Sequence, residues 1–430
     1  MSPLLAPVFA QLVALQLGDR TEGRYAGYYG DERFEASTAP TVALNVDARR
    51  TAFNLSYSPS FTLSPLERQP RQLFVLHYGS VSATYRFHRT LLQLGSTLAI
   101  GSVNPLLLAI QGGPLVVAGG TVPGAPNANG GTKTSDTTAT PGTSVAPGTV
   151  GPGGTTTSPA AIIITDAPDR KVRFYNSLTT LNLTHQLDKR TKLGALAGTN
   201  WSDGLDVRSR RIFRRLHAWF VGGSVAYTYK QSKRDAFVSN ASLIKTWSSN
   251  DNEAATLNAT ETWTHDFGLR TSASAGAGFN LTRFTYTGGL AGFSLFPTAL
   301  VSLTHVAPAG RGAFAFSGSA YSSPVLDPLR GAIDPRVGVL GSAGYTRKKF
   351  FVLTTGASTV SIGAPESRAY ALNASQAEGR IGYHFGELTL VDGGARVVRQ
   401  SYGGQAALPL SWATFVGVTF GYSIPLVGGR

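Results

Sequence analysis

The chain has 430 residues, no cysteine, a net charge of +14 and only 14% charged residues. Without cysteine there is no disulfide framework, thiolate metal site or thiol chemistry, and soluble domains carry about 25% charged residues. A mean hydropathy of -0.00 and the lack of any run near ~18 consecutive apolar residues exclude membrane-spanning helices. The richest run, 105–117, is interrupted by Gln111, Gly112 and Gly113.

From the start of the chain, residues 4–11 read as the tail of a secretory signal, with Val8-Phe9-Ala10 as a small-residue cleavage box. Residues 1–10 are therefore expected to be a signal remnant, and 11–430 the folded body. Beyond them the dominant pattern is a period of two. In Phe53-Asn54-Leu55-Ser56-Tyr57-Ser58 every second side chain is apolar and those between are small and polar. The same alternation returns in Trp219, Val221, Val225, Tyr227 and Tyr229, and in Val416, Val418, Phe420 and Tyr422. Side chains alternate across a strand, so each segment has one greasy and one wet face. Segments of about 10 residues or more match strands that cross a bilayer at a tilt.

Alternation and turn residues predict strands over 11–26, 39–47, 51–63, 72–87, 90–103, 170–186, 191–201, 215–230, 235–248, 254–265, 268–282, 295–306, 311–322, 333–346, 349–360, 368–384, 387–400 and 410–423. That is an all-β, transmembrane, antiparallel up-and-down barrel of about 18 strands, with 16–20 within the uncertainty of such counting. Connections alternate between tight ones, such as 47–50, 188–190 and 347–349, and longer ones at 27–38, 64–71, 202–214, 284–295 and 323–332. Short periplasmic turns and long external loops are the habit of outer-membrane barrels. One link, 104–169, is dominated in its middle by Gly, Thr, Pro, Ser and Ala. It reads as an external low-complexity loop, or as a plug anchored by Leu106-Leu107-Leu108 and Ile162-Ile163-Ile164.

Aromatics collect near predicted strand ends, among them Tyr57, Phe61, Tyr85, Phe87, Trp201, Trp247, Trp263, Phe279, Tyr345, Tyr383, Trp412, Phe420 and Tyr422. Their apolar parity makes them girdles at the two lipid interfaces rather than base-stacking platforms. Much of the positive charge (Arg49, Arg50, Arg86, Arg89, Lys189, Arg190, Lys192, Lys230, Lys233, Arg234, Arg311, Arg347, Lys348 and Lys349) lies at the tight turns. Solvated turns account for it; a docking ring for an acidic periplasmic export partner is the functional alternative. Nucleic acid is not an expected partner, whereas outer-membrane lipid and lipopolysaccharide are. No HExxH motif and no Gly-rich phosphate loop occurs, so no catalytic residues, metal or cofactor are expected.

The candidate site lies on the wet parity of the closing strands. Arg20, Glu22 and Arg24 share a face of the first, Glu378 and Arg380 of the sixteenth, Asp392 and Arg396 of the seventeenth. Closure of the first strand on the last gathers them into one lumenal sector, read either as ion pairs lining water or as a selectivity strip. On this parity Asp19 faces lipid unless Gly18 marks a bulge.

The alternating segments, the basic turns and the closing stretch Thr414-Phe415-Val416-Gly417-Val418-Thr419-Phe420-Gly421-Tyr422 resemble Gram-negative porin-like outer-membrane barrels. The end departs from that pattern, because 424–430 trail beyond the terminal aromatic residue. The strand Ala52-Phe53-Asn54-Leu55-Ser56-Tyr57-Ser58-Pro59 is similar to outer-membrane barrels of myxobacteria. That second resemblance implies a polysaccharide-export porin working with periplasmic export proteins. The expectation is an outer-membrane pore for hydrophilic material, either secreted polysaccharide or small polar solutes. The alternative is a non-enzymatic surface scaffold with a plugged lumen.

Overall fold

A computed structural model describes residues 12–28, 31–64, 72–103, 172–212, 215–249, 253–268, 270–285, 291–327, 332–362, 372–386, 388–402 and 410–427. The expected signal remnant and the loop 104–169 lie outside the described residues. Eighteen strands follow in order: β1 (Leu12–Tyr28), β2 (Asp31–Asp47), β3 (Thr51–Ser64), β4 (Gln72–Arg86), β5 (Thr90–Val103), β6 (Val172–Gln186), β7 (Thr191–Gly204), β8 (Leu216–Lys230), β9 (Asp235–Ser248), β10 (Glu253–Asp266), β11 (Thr271–Thr285), β12 (Ala291–Ala309), β13 (Gly312–Asp327), β14 (Ala332–Arg347), β15 (Phe350–Ser361), β16 (Leu372–Phe385), β17 (Thr389–Tyr402) and β18 (Ser411–Val427). Each pairs antiparallel with its sequence neighbours, and β18 pairs with β1, which closes the sheet. Closure leaves no edge strand, the condition for a sheet to stand in hydrocarbon.

The faces follow the period of two. Leu17, Leu55, Val221, Val418 and Phe420 point outward and are exposed, while Thr180, Asn258, Asn280, Thr298 and Thr419 point inward and are buried. Inward hydroxyls and amides bond across neighbouring strands: Ser56 to Ser80 at 2.6 Å, Ser274 to Ser302 at 2.7 Å, Ser317 to Ser342 at 2.7 Å. A greasy exterior with a wet interior inverts the soluble pattern and places the chain in the bacterial outer membrane. Among the described residues no helix is long and apolar enough to cross a membrane.

One rim joins strands by two to four residues. At this rim Gly310 and Gly386 take φ of 62° and 73°, and Lys348 takes 53°. The other rim carries every link longer than four residues and one short helix, α1 (Val207–Ile212). There the Asp206 carboxylate accepts the Ser209 N–H at 2.7 Å, and the Ser209 hydroxyl accepts the Arg173 N–H at 2.9 Å. The Ser209 N–H, helped by the Ser209 hydroxyl and the Arg208 N–H, holds the Asp206 carboxyl below its usual value.

The expected long link 27–38 is corrected: β1 runs to Tyr28 and β2 starts at Asp31. Its charged residues suggested a loop, yet a strand facing a wet lumen tolerates charge on one parity. The 284–295 link shrinks likewise, because β12 begins at Ala291. Several expected girdle rings do stand near a rim. Tyr85 packs on Phe87 with ring centroids 4.4 Å apart, and Tyr25 on Trp412 at 5.6 Å. Tyr57 does not: it lies mid-strand, stacked on His77 at 6.1 Å.

Candidate functional site: a charged lumenal strip

β1, β18, β17 and β16 stand side by side through their ladders. Their inward parity carries Arg20, Glu22 and Arg24 on β1, Phe415, Gly417 and Thr419 on β18, Asp392 and Arg396 on β17, Glu378 and Arg380 on β16. Gly417 lies opposite both Glu22 and Asp392. With no side chain there, the Arg20 guanidinium reaches across β18. A Cβ at Gly417 would sit 3.0 Å from Arg20 Nη2 and 3.3 Å from Asp392 Oδ1.

The outcome is a continuous chain of ion pairs. Arg20 grips the Asp392 carboxylate with two nitrogens, at 3.0 and 3.2 Å, and donates to Glu22 at 3.0 Å and to the Thr419 hydroxyl at 3.0 Å. Arg380 Nε donates at 2.9 Å to Asp392 Oδ2, the oxygen that also accepts from Arg20 Nη2, and lies 3.6 Å from Glu378. Arg396 Nε donates to Glu378 at 2.7 Å. Asp392 is fully buried (0%), whereas Arg20, Arg380 and Arg396 keep 18%, 11% and 14% of their side chains exposed toward the lumen. Arg380 and Arg396 also flank the buried Phe415 ring, 5.8 and 5.9 Å from its centroid.

Six of the seven residues singled out by sequence thus form one cluster, and Arg24 stands apart from it. It pairs with Glu35 of β2 at 2.8 Å, and the two side chains are 2% and 0% exposed. Sequence reasoning missed Glu35, because it lies in the stretch read as a loop. The signal that finds it is register: Glu35 lies directly opposite Arg24 in the β1–β2 ladder. With Glu35 counted, four arginines face four carboxylates. On the inward parity of β3–β12, described charged residues occur at strand ends (Arg86, Lys192, Lys230, Asp266), leaving a mid-wall of Ser, Thr, Asn, Gly and apolar side chains.

Register also settles Asp19. The β1–β2 and β1–β18 ladders run unbroken past Gly18, so no bulge turns the residue inward. Its carboxylate stays on the outer face and accepts the Thr38 and Thr21 hydroxyls at 2.9 and 3.0 Å.

No family model matches the chain, and no curated protein matches it in sequence. Its fold is similar to solved structures. Acinetobacter baumannii OccAB2 has 12% identity and a TM-score of 0.44, with 96% of this chain and 98% of that one covered. Pseudomonas aeruginosa OccK7 (OpdD) has 11% identity and a TM-score of 0.42, covering 97% and 99%. The P. aeruginosa outer-membrane protein OpdK has 11% identity and a TM-score of 0.41, covering 96% and 99%. The likeness is one of outline and reaches no individual residue.

Proposed function

We propose that the chain is an outer-membrane pore for small polar solutes, with the strip on β1, β16 and β17 as its selectivity element. The observation that carries this reading is the strip itself: paired charges partly open to the lumen, set against a β3–β12 wall whose described inward charges lie only at strand ends. Barrels of 16–18 strands leave an aqueous channel unless plugged. Within it, charges on low-dielectric walls focus their field on passing ions. A hydroxyl and amide wall opposite paired charges suits a polar solute that presents both signs or many hydroxyls. Secreted polysaccharide rests on the sequence resemblance alone.

Planar-bilayer conductance tests the pore. Wild-type protein is expected to conduct, and Arg380→Gln with Arg396→Gln to shift selectivity toward cations, because Glu378 and Asp392 lose partners. Unchanged selectivity reduces the strip to structural ion pairs. Absence of conductance replaces the pore with the scaffold whose lumen is closed.

A further inference from the structure

The β2–β3 ladder lapses in mid-wall. Pairing runs from Ala36↔Leu63 to Thr38↔Phe61 and resumes at Val42↔Tyr57 in the same register, leaving 39–41 unpaired with 58–60. At the centre of the lapse Pro40 faces Pro59. Their other sides stay paired, Pro40 with Asp19 of β1 and Pro59 with His77 of β4. The 40/59 position is therefore the one that would exchange two reciprocal ladder bonds, and neither residue owns an N–H. Two carbonyl oxygens face each other there without ladder donors, inside a barrel that has no edge on which prolines are normally placed. What spans the seam on the lumenal side is one hydrogen bond between the Thr41 and Ser58 hydroxyls, at 2.9 Å.

The lipid side of the same seam is polar. Asp19, bonded to Thr21 and Thr38, sits beside Pro40, and Tyr57 bonds to His77 Nδ1 at 2.7 Å beside Pro59. Above and below are apolar outward residues: Phe34 toward the outer rim, Val42 and Leu55 toward the inner one. A carboxylate inside the apolar band is costly and marks function by default. Carboxylate and free carbonyl oxygens are acceptors, so they suit a donor-rich, cationic head, while the surrounding band suits a hydrocarbon tail.

We propose that the β2–β3 seam is a lateral portal between lumen and bilayer for amphipathic molecules with a cationic, hydrogen-bond-donating head, long-chain amines in chemical class. The lumenal end of this route rests on the pore reading. No ladder bond holds the seam between Thr38 and Val42, so passage requires the Thr41–Ser58 bond to break and the two strands to bow apart between those paired positions.

The test places a diazirine-bearing dodecylamine in vesicles holding the Thr41→Cys/Ser58→Cys protein, which then contains its only two cysteines. These positions form a non-hydrogen-bonded pair, whose Cα separation of about 4.5 Å falls within disulfide range. In the reduced protein, light is expected to label lumen-facing Ser56 and Ser80 as well as lipid-facing Val42 and Leu55. In the oxidised protein the lumenal labels drop several-fold and the lipid-facing ones persist. Pro40→Val with Pro59→Val restores two ladder donors and is expected to behave like the oxidised protein. A carboxylate-headed probe of equal length labels the seam less, and Asp19→Asn erases that difference. Lumenal labelling that ignores the lock, or is missing from the reduced protein, overturns the portal. Conductance is read on the same vesicles: its absence overturns the pore, while lock-dependent labelling still supports the seam.

Discussion

At the scale of single residues, small side chains and backbone angles decide where charge can reach. Gly417 gives Arg20 its path to Asp392, so Gly417→Val is expected to push the guanidinium away and leave a buried carboxylate short of a partner. Selectivity should then move toward cations, read as a shift in reversal potential. Lys348 carries a left-handed φ of 53° in a two-residue turn. That conformation costs a non-glycine residue roughly 1–2 kcal/mol, so Lys348→Gly is expected to stabilise the barrel by about 1 kcal/mol in urea unfolding. In the β6–β7 turn, the Asp188 carboxylate accepts the Arg190 and Thr191 N–H groups at 2.6 and 2.8 Å, which lowers its pKa from the usual 3.8. Its contribution is present above that ordinary value and disappears as pH falls through the depressed one. Asp188→Asn should flatten this acid limb of the pH–stability curve: the mutant is less stable than wild type at neutral pH, and the difference disappears in acid.

At the scale of the strand, the period of two makes faces unequal. Val418 points outward and is exposed on β18. Val418→Arg is expected to cost about 2–4 kcal/mol if near the bilayer midplane, whereas Asn54→Arg on the wet face should be tolerated. Urea unfolding in lipid, followed by heat-modifiable gel migration, checks both. Equal tolerance of the two would mean that the faces are reversed. The same logic explains why β2 was read short. Its outer half, with Asp31, Glu32, Arg33 and Glu35, has the charge of a loop, and only pairing with β1 turns it into wall. Glu35 was lost with it.

At the scale of the molecule, the net charge of +14 is unevenly spread. Basic residues crowd the short-turn rim, while the mid-lumen strip balances its charges. The screening length shrinks from about 10 Å at 0.1 M salt to about 3 Å at 1 M. Selectivity contributed by the rim is therefore expected to vanish in high salt, and any contributed by the partly buried strip to persist. Reversal potentials measured at both ionic strengths separate the two.

The sequence by itself determined the strand count, the two faces and most strand limits, because side-chain alternation and turn chemistry are local properties of the chain. The expected 51–63 and 235–248 stand beside β3 (Thr51–Ser64) and β9 (Asp235–Ser248). It also placed Arg20, Glu378, Arg380 and Asp392 on the wet parity. Which carboxylate meets which arginine was decided only by the tertiary structure. Closure brings β1 beside β18, and the register then sets Gly417 between Arg20 and Asp392 and Glu35 opposite Arg24. Pro40 and Pro59 are visible in the sequence, but their meeting across one ladder is not. Pairing between strands depends on inter-strand register, and alternation within each strand carries no information about which residue stands opposite.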